Sequence, residues 1–256
     1  MRAEIITIGD ELLIGQVVDT NSAWMAQRLN EVGVELYEIV SVHDDADHIK
    51  RALKDAFERA DIILTTGGLG PTKDDITKNV LCDYFHTTLV ENEQVKNFIL
   101  DRYKDRPQVL NRLTATQWMV PASATILPNR VGSAPIMEWE KDGKLLFCLP
   151  GVPSEMKVAM DEQVLPRLHS DKRIIHRHVE VHDIPESALA IVLEEWENSL
   201  PKGLCLAYLP TPEKRLIKLR LSSYGDITEA EVDKEYKKLI KNLQDSKIIC
   251  TFADTI

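Results

Sequence analysis

Strand-like runs and helices alternate along the first 85 residues, and this limits the possible folds most. EIITIG (residues 4–9), VELYEIVSV (34–42) and DIILTTGG (61–68) read as buried strands. Amphipathic helical stretches separate or follow them: NSAWMAQRLNEVG from residue 21, DADHIKRALKDAFERA at 45–60 and DDITKNVLCDYF at 74–85. Short apolar strands alternating with helices demand a mostly parallel sheet covered on both faces. The expected class is a three-layer α/β/α domain.

Each strand stops in a polar, glycine-bearing or acidic loop. Open parallel sheets bind ligands at the carboxyl ends of their strands, so these loops carry the candidate chemistry. GDELLIGQVVDTNS (9–22) supplies Gly9, Asp10, Asn21 and Ser22, with Asn21 or Ser22 able to cap the helix that follows and Asp19 a further capping candidate. SVHDDAD (41–47) supplies Asp44, with Asp45 suited to capping. TTGGLGPTKDD (65–75) supplies Gly67, Gly68, Gly70, Thr72, Asp74 and Asp75. Glycines there allow positive φ and close backbone approach to a phosphate. The aspartates suit a helix cap, a polar ligand group or a divalent cation. The stretch is neither a Walker loop nor a complete GxGxxG fingerprint, and a tight turn alone also accounts for it.

The pattern continues to about residue 168. LVENEQVKNFILDRYKDR, from residue 89, is expected to be helical, and TATQWMV (114–120) to extend it. LPNRVGSAP (127–135) offers Asn129 and Arg130 to an anionic ligand. KLLFCLPG (144–151) is a further buried strand, and LPGVPSEM (149–156) places Glu155 in a helical first turn with Ser154 as cap. The rhythm then changes, giving a boundary at 168/169 and an α+β companion over 169–256. His176, His178 and His182 alternate along one strand there, with no further ligand completing a zinc motif. Trp118, Trp139 and Trp196 are expected in a core or interface rather than as stacking platforms.

Composition narrows the partners. With 41 acidic against 31 basic residues, the net charge of −10 disfavours nucleic acid and anionic membranes. Four cysteines without a CxxC pair fit free thiols in a reducing compartment, and the N-terminus lacks signal-peptide features. A cytoplasmic small-molecule protein is expected.

In combination and order, GDELLIGQVVDTNS, TTGGLGPTKDD, LPNRVGSAP and LPGVPSEM resemble the signature segments of the competence/damage-inducible CinA proteins. Their amino-terminal domain is similar to the molybdopterin-binding domain of MoaB/MogA-like proteins, and residues 169–256 resemble their small KH-like domain. No GxxG loop lies between 170 and 256, which argues against RNA binding. The resemblance implies a metal-dependent pyrophosphatase that cleaves ADP-ribose-like nucleotides to AMP and ribose 5-phosphate, or a non-catalytic molybdopterin- or nucleotide-binding protein, and commonly a homodimer. Mg²⁺, Mn²⁺ or Co²⁺ is the implied cofactor, with K⁺ a further candidate. By motif, Asp44, Asp75 and Glu155 are the implied catalytic residues. Gly9, Asn21, Ser22, Gly67, Gly68, Gly70, Thr72 and Asn129 would bind the ligand, and Asp10, Asp74 and Asp75 the metal. Many full-length relatives add a domain that deamidates nicotinamide mononucleotide; that activity is not expected of these residues. Ile136, after SAP, stands where relatives often have glycine.

Overall fold

The computed structural model describes residues 1–168 and 174–252. The chain forms two compact units, Met1–Asp171 and Lys172–Ile256. In chain order the first unit contains β1 (Arg2–Ile8), α1 (Asp10–Leu13), α2 (Thr20–Glu31), β2 (Glu35–Val42), α3 (Ala46–Arg59), β3 (Ile62–Thr66), α4 (Thr77–Tyr84), β4 (Leu89–Glu91), α5 (Glu93–Arg102), β5 (Met119–Pro121), β6 (Thr125–Leu127), β7 (Ile136–Lys141), β8 (Lys144–Leu149) and α6 (Pro153–Ala159).

Six strands form the main sheet in the order β2-β1-β3-β8-β7-β6. The first four are parallel, and β7 and β6 extend the edge antiparallel. Successive residues of a strand enter opposite cores. Ile5, Ile62, Leu64 and Phe147 pack with Met25, Leu29 and Met156 on one face. Ile6, Ile63, Leu146 and Cys148 pack with Ile49, Leu53 and Leu81 on the other. Burial on both faces explains why the strands read as continuous apolar runs. Each fully buried large apolar side chain contributes about 1.5–3 kcal/mol.

From β1 the chain crosses to β2 on one side, then returns past β1 to β3 on the other. This reversal opens a crevice at the carboxyl ends of β1 and β3.

Several local expectations are corrected. Of the three capping candidates for α2, Asp19 is the cap, its side chain accepting from the Ser22 N–H, and Asn21 and Ser22 are not. Residues 89–91 form a strand, because they pair with 119–121; Asn92 then caps α5. Only 114–118 of the TATQWMV segment is helical, as a 3₁₀ turn. Helix α4 begins at Thr77 rather than at Asp74, and Ser154 caps nothing, because Pro153 opens α6 behind Val152.

The second unit contains β9 (His176–His182), α7 (Glu186–Asn198), β10 (Leu204–Thr211), β11 (Leu216–Ser223), α8 (Glu229–Asp245) and β12 (Cys250–Phe252). Its antiparallel sheet runs β10-β11-β9-β12. Val232, Leu239 and Leu243 of α8 are buried in its core with Trp196, and a Thr228–Glu231 capping box starts the helix. His176 pairs with Ser222 and His182 with Thr251, each at 2.8 Å. Trp139 is buried in the first unit, and Trp118 lies beneath Lys96 there. Among the described residues no helix is long and apolar enough to cross a membrane.

Candidate functional site

A cleft of about 420 Å³ lies at the carboxyl ends of β1, β3 and β8. Its walls come from parts of the 7–12, 17–21, 66–75 and 150–155 segments, with Asp44, Gln117, Ser133 and Ala134 added from elsewhere. Asn21 ties three of these segments together. Its Nδ2 donates to Gly151 O at 2.8 Å and to Thr66 Oγ1 at 3.3 Å, while the Thr66 hydroxyl donates to Pro150 O at 2.8 Å. Asp19 has taken over the cap, so the Asn21 amide is free to do this. Ser22 is buried in α2 and does not line the cleft.

The glycine loop makes room for the protein itself. Gly67 (φ 109°) and Gly68 (φ 64°) occupy left-handed backbone, and a Cβ on either would overlap Ile8 O or Thr77 Oγ1. The Gly67 N–H donates to Leu149 O, and the Gly70 N–H to Asp75 Oδ1 at 2.7 Å. Both N–H groups are therefore engaged inside the chain, so the expected phosphate nest is partly filled by an internal carboxylate. Asp75 Oδ2 accepts from the Thr72 N–H at 2.8 Å and sits 2.5 Å from Thr72 Oγ1. Asp75 and Thr72 thus brace the loop against each other. Thr72 does not line the cleft, whereas Asp74, Asp75 and Gly70 do.

Asp44 and Asp74 also line the cleft, in contrasting environments. Burial raises the Asp44 pKa, and the Asp10, Glu11 and Asp74 carboxylates push it the same way, against a 3.1 Å hydrogen bond from the Asp10 N–H. The Thr72 hydroxyl, 2.5 Å away, holds Asp74 below the usual carboxylate value. Asp10 turns aside: its Oδ1 lies 2.8 Å from His43 Nδ1, and the residue does not line the cleft. Gly9 lines it, and a Cβ there would meet the Glu11 carboxylate at 2.6 Å.

At the far wall Asn129 Nδ2 donates to Glu155 Oε2 at 2.9 Å and to Ala134 O at 2.8 Å, while its Oδ1 accepts from the Val131 and Gly132 N–H groups. Asn129 shapes its loop and orients Glu155, which lines the cleft; Asn129 itself does not. Arg130 pairs with Glu162 at 2.8 Å instead of facing a ligand. Ile136 opens β7 and is buried in the core.

Sequence reasoning missed Thr66, Gln117 and Lys78. Gln117 is 1% exposed, lines the cleft, and has both amide atoms unpaired. Lys78 is 5% exposed and donates to Thr116 O at 2.6 Å, fixing the turn that carries Gln117. Burial brings its pKa down to about 8. Thr66 lies inside the TTGGLGPTKDD segment without being singled out by it, no motif marks Gln117 or Lys78, and tertiary packing brings the three together.

Residues 4–170 match the family described as "Probable molybdopterin binding domain". A CinA-like protein of Flavobacterium psychrophilum is 40% identical over 262 residues, an alignment covering 100% of this chain and 60% of that protein. A second, from Cytophaga hutchinsonii, is 39% identical over 261 residues, covering 99% and 62%. The crystal structure of the protein CinA, of unknown function, from Thermoplasma acidophilum superposes with a TM-score of 0.58 at 32% identity, covering 64% of this chain and 97% of that one. The chain belongs to the CinA family. It spans about three fifths of the length of the two CinA-like relatives.

The cleft is lined by acidic side chains whose oxygens could take part in holding a divalent cation. Glu11, Asp44 and Asp74 put carboxylates on its wall, and the Asp44 pKa is raised by burial first and by the neighbouring Asp10, Glu11 and Asp74 charges second. Among the described residues no three acidic, histidine or cysteine side chains converge as a preformed metal cage.

Proposed function

We propose that the first unit binds a nucleotide pyrophosphate together with a divalent cation and hydrolyses it, with ADP-ribose giving AMP and ribose 5-phosphate. The cleft lining carries this reading: carboxylates from separate segments, Glu11, Asp44 and Asp74, stand beside the glycine loop at the strand ends. Two carboxylates of one cleft, pushed to opposite sides of their ordinary value, suit a proton acceptor and a permanently ionised partner. Asp74 and Glu11 would hold the cation, which supplies charge neutralisation at the phosphoryl oxygens. Asp44 takes a proton from the attacking water as its oxygen bonds to phosphorus and the bridging P–O bond breaks. Glu155, oriented by Asn129, lines the same cleft, where it can accept from a ribose hydroxyl. Asp75 serves as the brace of the glycine loop.

Incubation with ADP-ribose and Mg²⁺, Mn²⁺ or Co²⁺, followed by chromatography, should show metal-dependent AMP that Asp44→Asn abolishes. Absence of AMP above background rejects hydrolysis.

A second reading is binding without turnover, with a molybdopterin as ligand. The description of the matched family favours it, as does Asp75, both of whose oxygens are engaged by the loop. Calorimetry with a molybdopterin-type ligand and no accompanying hydrolysis would select it.

A further inference from the structure

Gln117 is the outlier in this cleft. A carboxamide offers two donors and two acceptor lone pairs, and buried polar groups are ordinarily satisfied. Its Nε2 and Oε1 are both buried and unpaired, although the residue is one of those that line the cleft. Nor is its position slack. The Thr114–Trp118 turn is fastened by Lys78 through Thr116 O, and Asn111 Oδ1 accepts from the Leu113 and Thr114 N–H groups at its start. The fold therefore holds an unsatisfied amide in place.

Asn21 adds an independent observation. Its amide nitrogen is fixed by Gly151 O and Thr66 Oγ1, which sets the direction of the carboxamide. The remaining atom, Oδ1, is buried and unpaired, and the residue lines the same cleft. One cleft thus carries a fixed acceptor and a full donor–acceptor pair, none of them used by the protein.

We infer that Gln117 is a base-recognition residue that reads a heterocycle through an exocyclic amine beside a ring-nitrogen acceptor. The Gln117 Oε1 accepts from the amine and Nε2 donates to the ring nitrogen, the paired geometry by which carboxamides read adenine. The terminal torsion of glutamine is soft, so the amide edge turns toward the ligand without moving the anchored turn. Asn21 Oδ1 accepts a further ligand N–H or hydroxyl. Adenine and pterin rings share this edge, so the inference deepens the nucleotide reading and rests on the cleft assigned there, but not on hydrolysis.

Calorimetry on the full chain tests it with two ligand pairs. AMP is compared with purine riboside 5′-monophosphate, which lacks the amine, and 6-hydroxymethylpterin with its 2-deamino analogue. The wild-type chain should prefer the amine-bearing member of one pair by about ten-fold or more, and that pair identifies the ring. Gln117→Leu should erase the preference. Because no internal hydrogen bond is lost, its Tm should equal or exceed that of the wild type; Gln117→Met provides a second variant should leucine not fold. Preference retained in the folded variant, or no wild-type preference in either pair, overturns the inference. A positive result without ADP-ribose cleavage would remove hydrolysis alone, and cleavage with an unchanged preference would remove base recognition alone.

Discussion

The Gly70 N–H donates to Asp75 Oδ1 at 2.7 Å, and a Cβ on residue 70 would overlap that same carboxylate. The glycine is needed because the chain's own aspartate occupies the space a side chain would take. Asp75→Asn replaces one acceptor oxygen with an amide NH2 donor facing the Gly70 or Thr72 N–H. We expect it to lower unfolding free energy by about 1–3 kcal/mol, measured by urea titration. Gly70→Ala should show a loss in the same direction. Unchanged stability in Asp75→Asn would show that the brace carries no weight.

Asn21 joins α2 to the ends of β3 and β8 through Thr66 and Gly151. Asn21→Ala leaves the Gly151 carbonyl without this partner, and a loss of about 1–3 kcal/mol is expected. Asn21→Asp should not rescue it near neutral pH, since an ionised carboxylate cannot donate. Chemical denaturation of both variants checks the point.

Lys78 carries a pH signature. Its pKa is about 8 in the folded chain against an ordinary 10.5, so between these values the unfolded chain binds the extra proton. The burial penalty is complete below about pH 8 and is relieved as pH rises toward 10.5. Wild-type stability should therefore rise relative to Lys78→Met across that window, by an amount on the order of 3 kcal/mol. Denaturation of both proteins at pH 7.5 and 10 measures the difference, and parallel curves would refute it.

Asp44 should titrate above the ordinary carboxylate value, through burial first and then the neighbouring carboxylates. Carbon-detected NMR on metal-free protein should place its midpoint above 3.8, and Asp10→Asn should lower it by removing one nearby charge. The folded state holds this proton more tightly than the unfolded one. The stability it lends is complete below 3.8 and lost as pH rises through the folded midpoint. A midpoint unmoved in Asp10→Asn would contradict the electrostatic account.

The sequence by itself determined the α/β layering and the strand exits that carry the cleft. Burial on both faces imposes continuous apolar runs, and each run must end before a helix can cross the sheet. Asp45 as a cap and the buried 144–149 strand were legible for the same local reason. Which polar groups face the cleft was decided only by tertiary structure, since Asp19, Asn21 and Ser22 look interchangeable as caps. The cap at Asp19 leaves Asn21 to reach Gly151, 130 residues away. Asp75 folds onto Gly70 rather than starting a helix, and residues 89–91 become a strand only because 119–121 pair with them. Gln117 carries no motif at all. It reaches the cleft wall on a turn fastened by the buried Lys78, whose bond to Thr116 O spans 38 residues. Local propensity acts over a few residues; hydrogen bonds that close such long loops depend on the assembled sheet and helices.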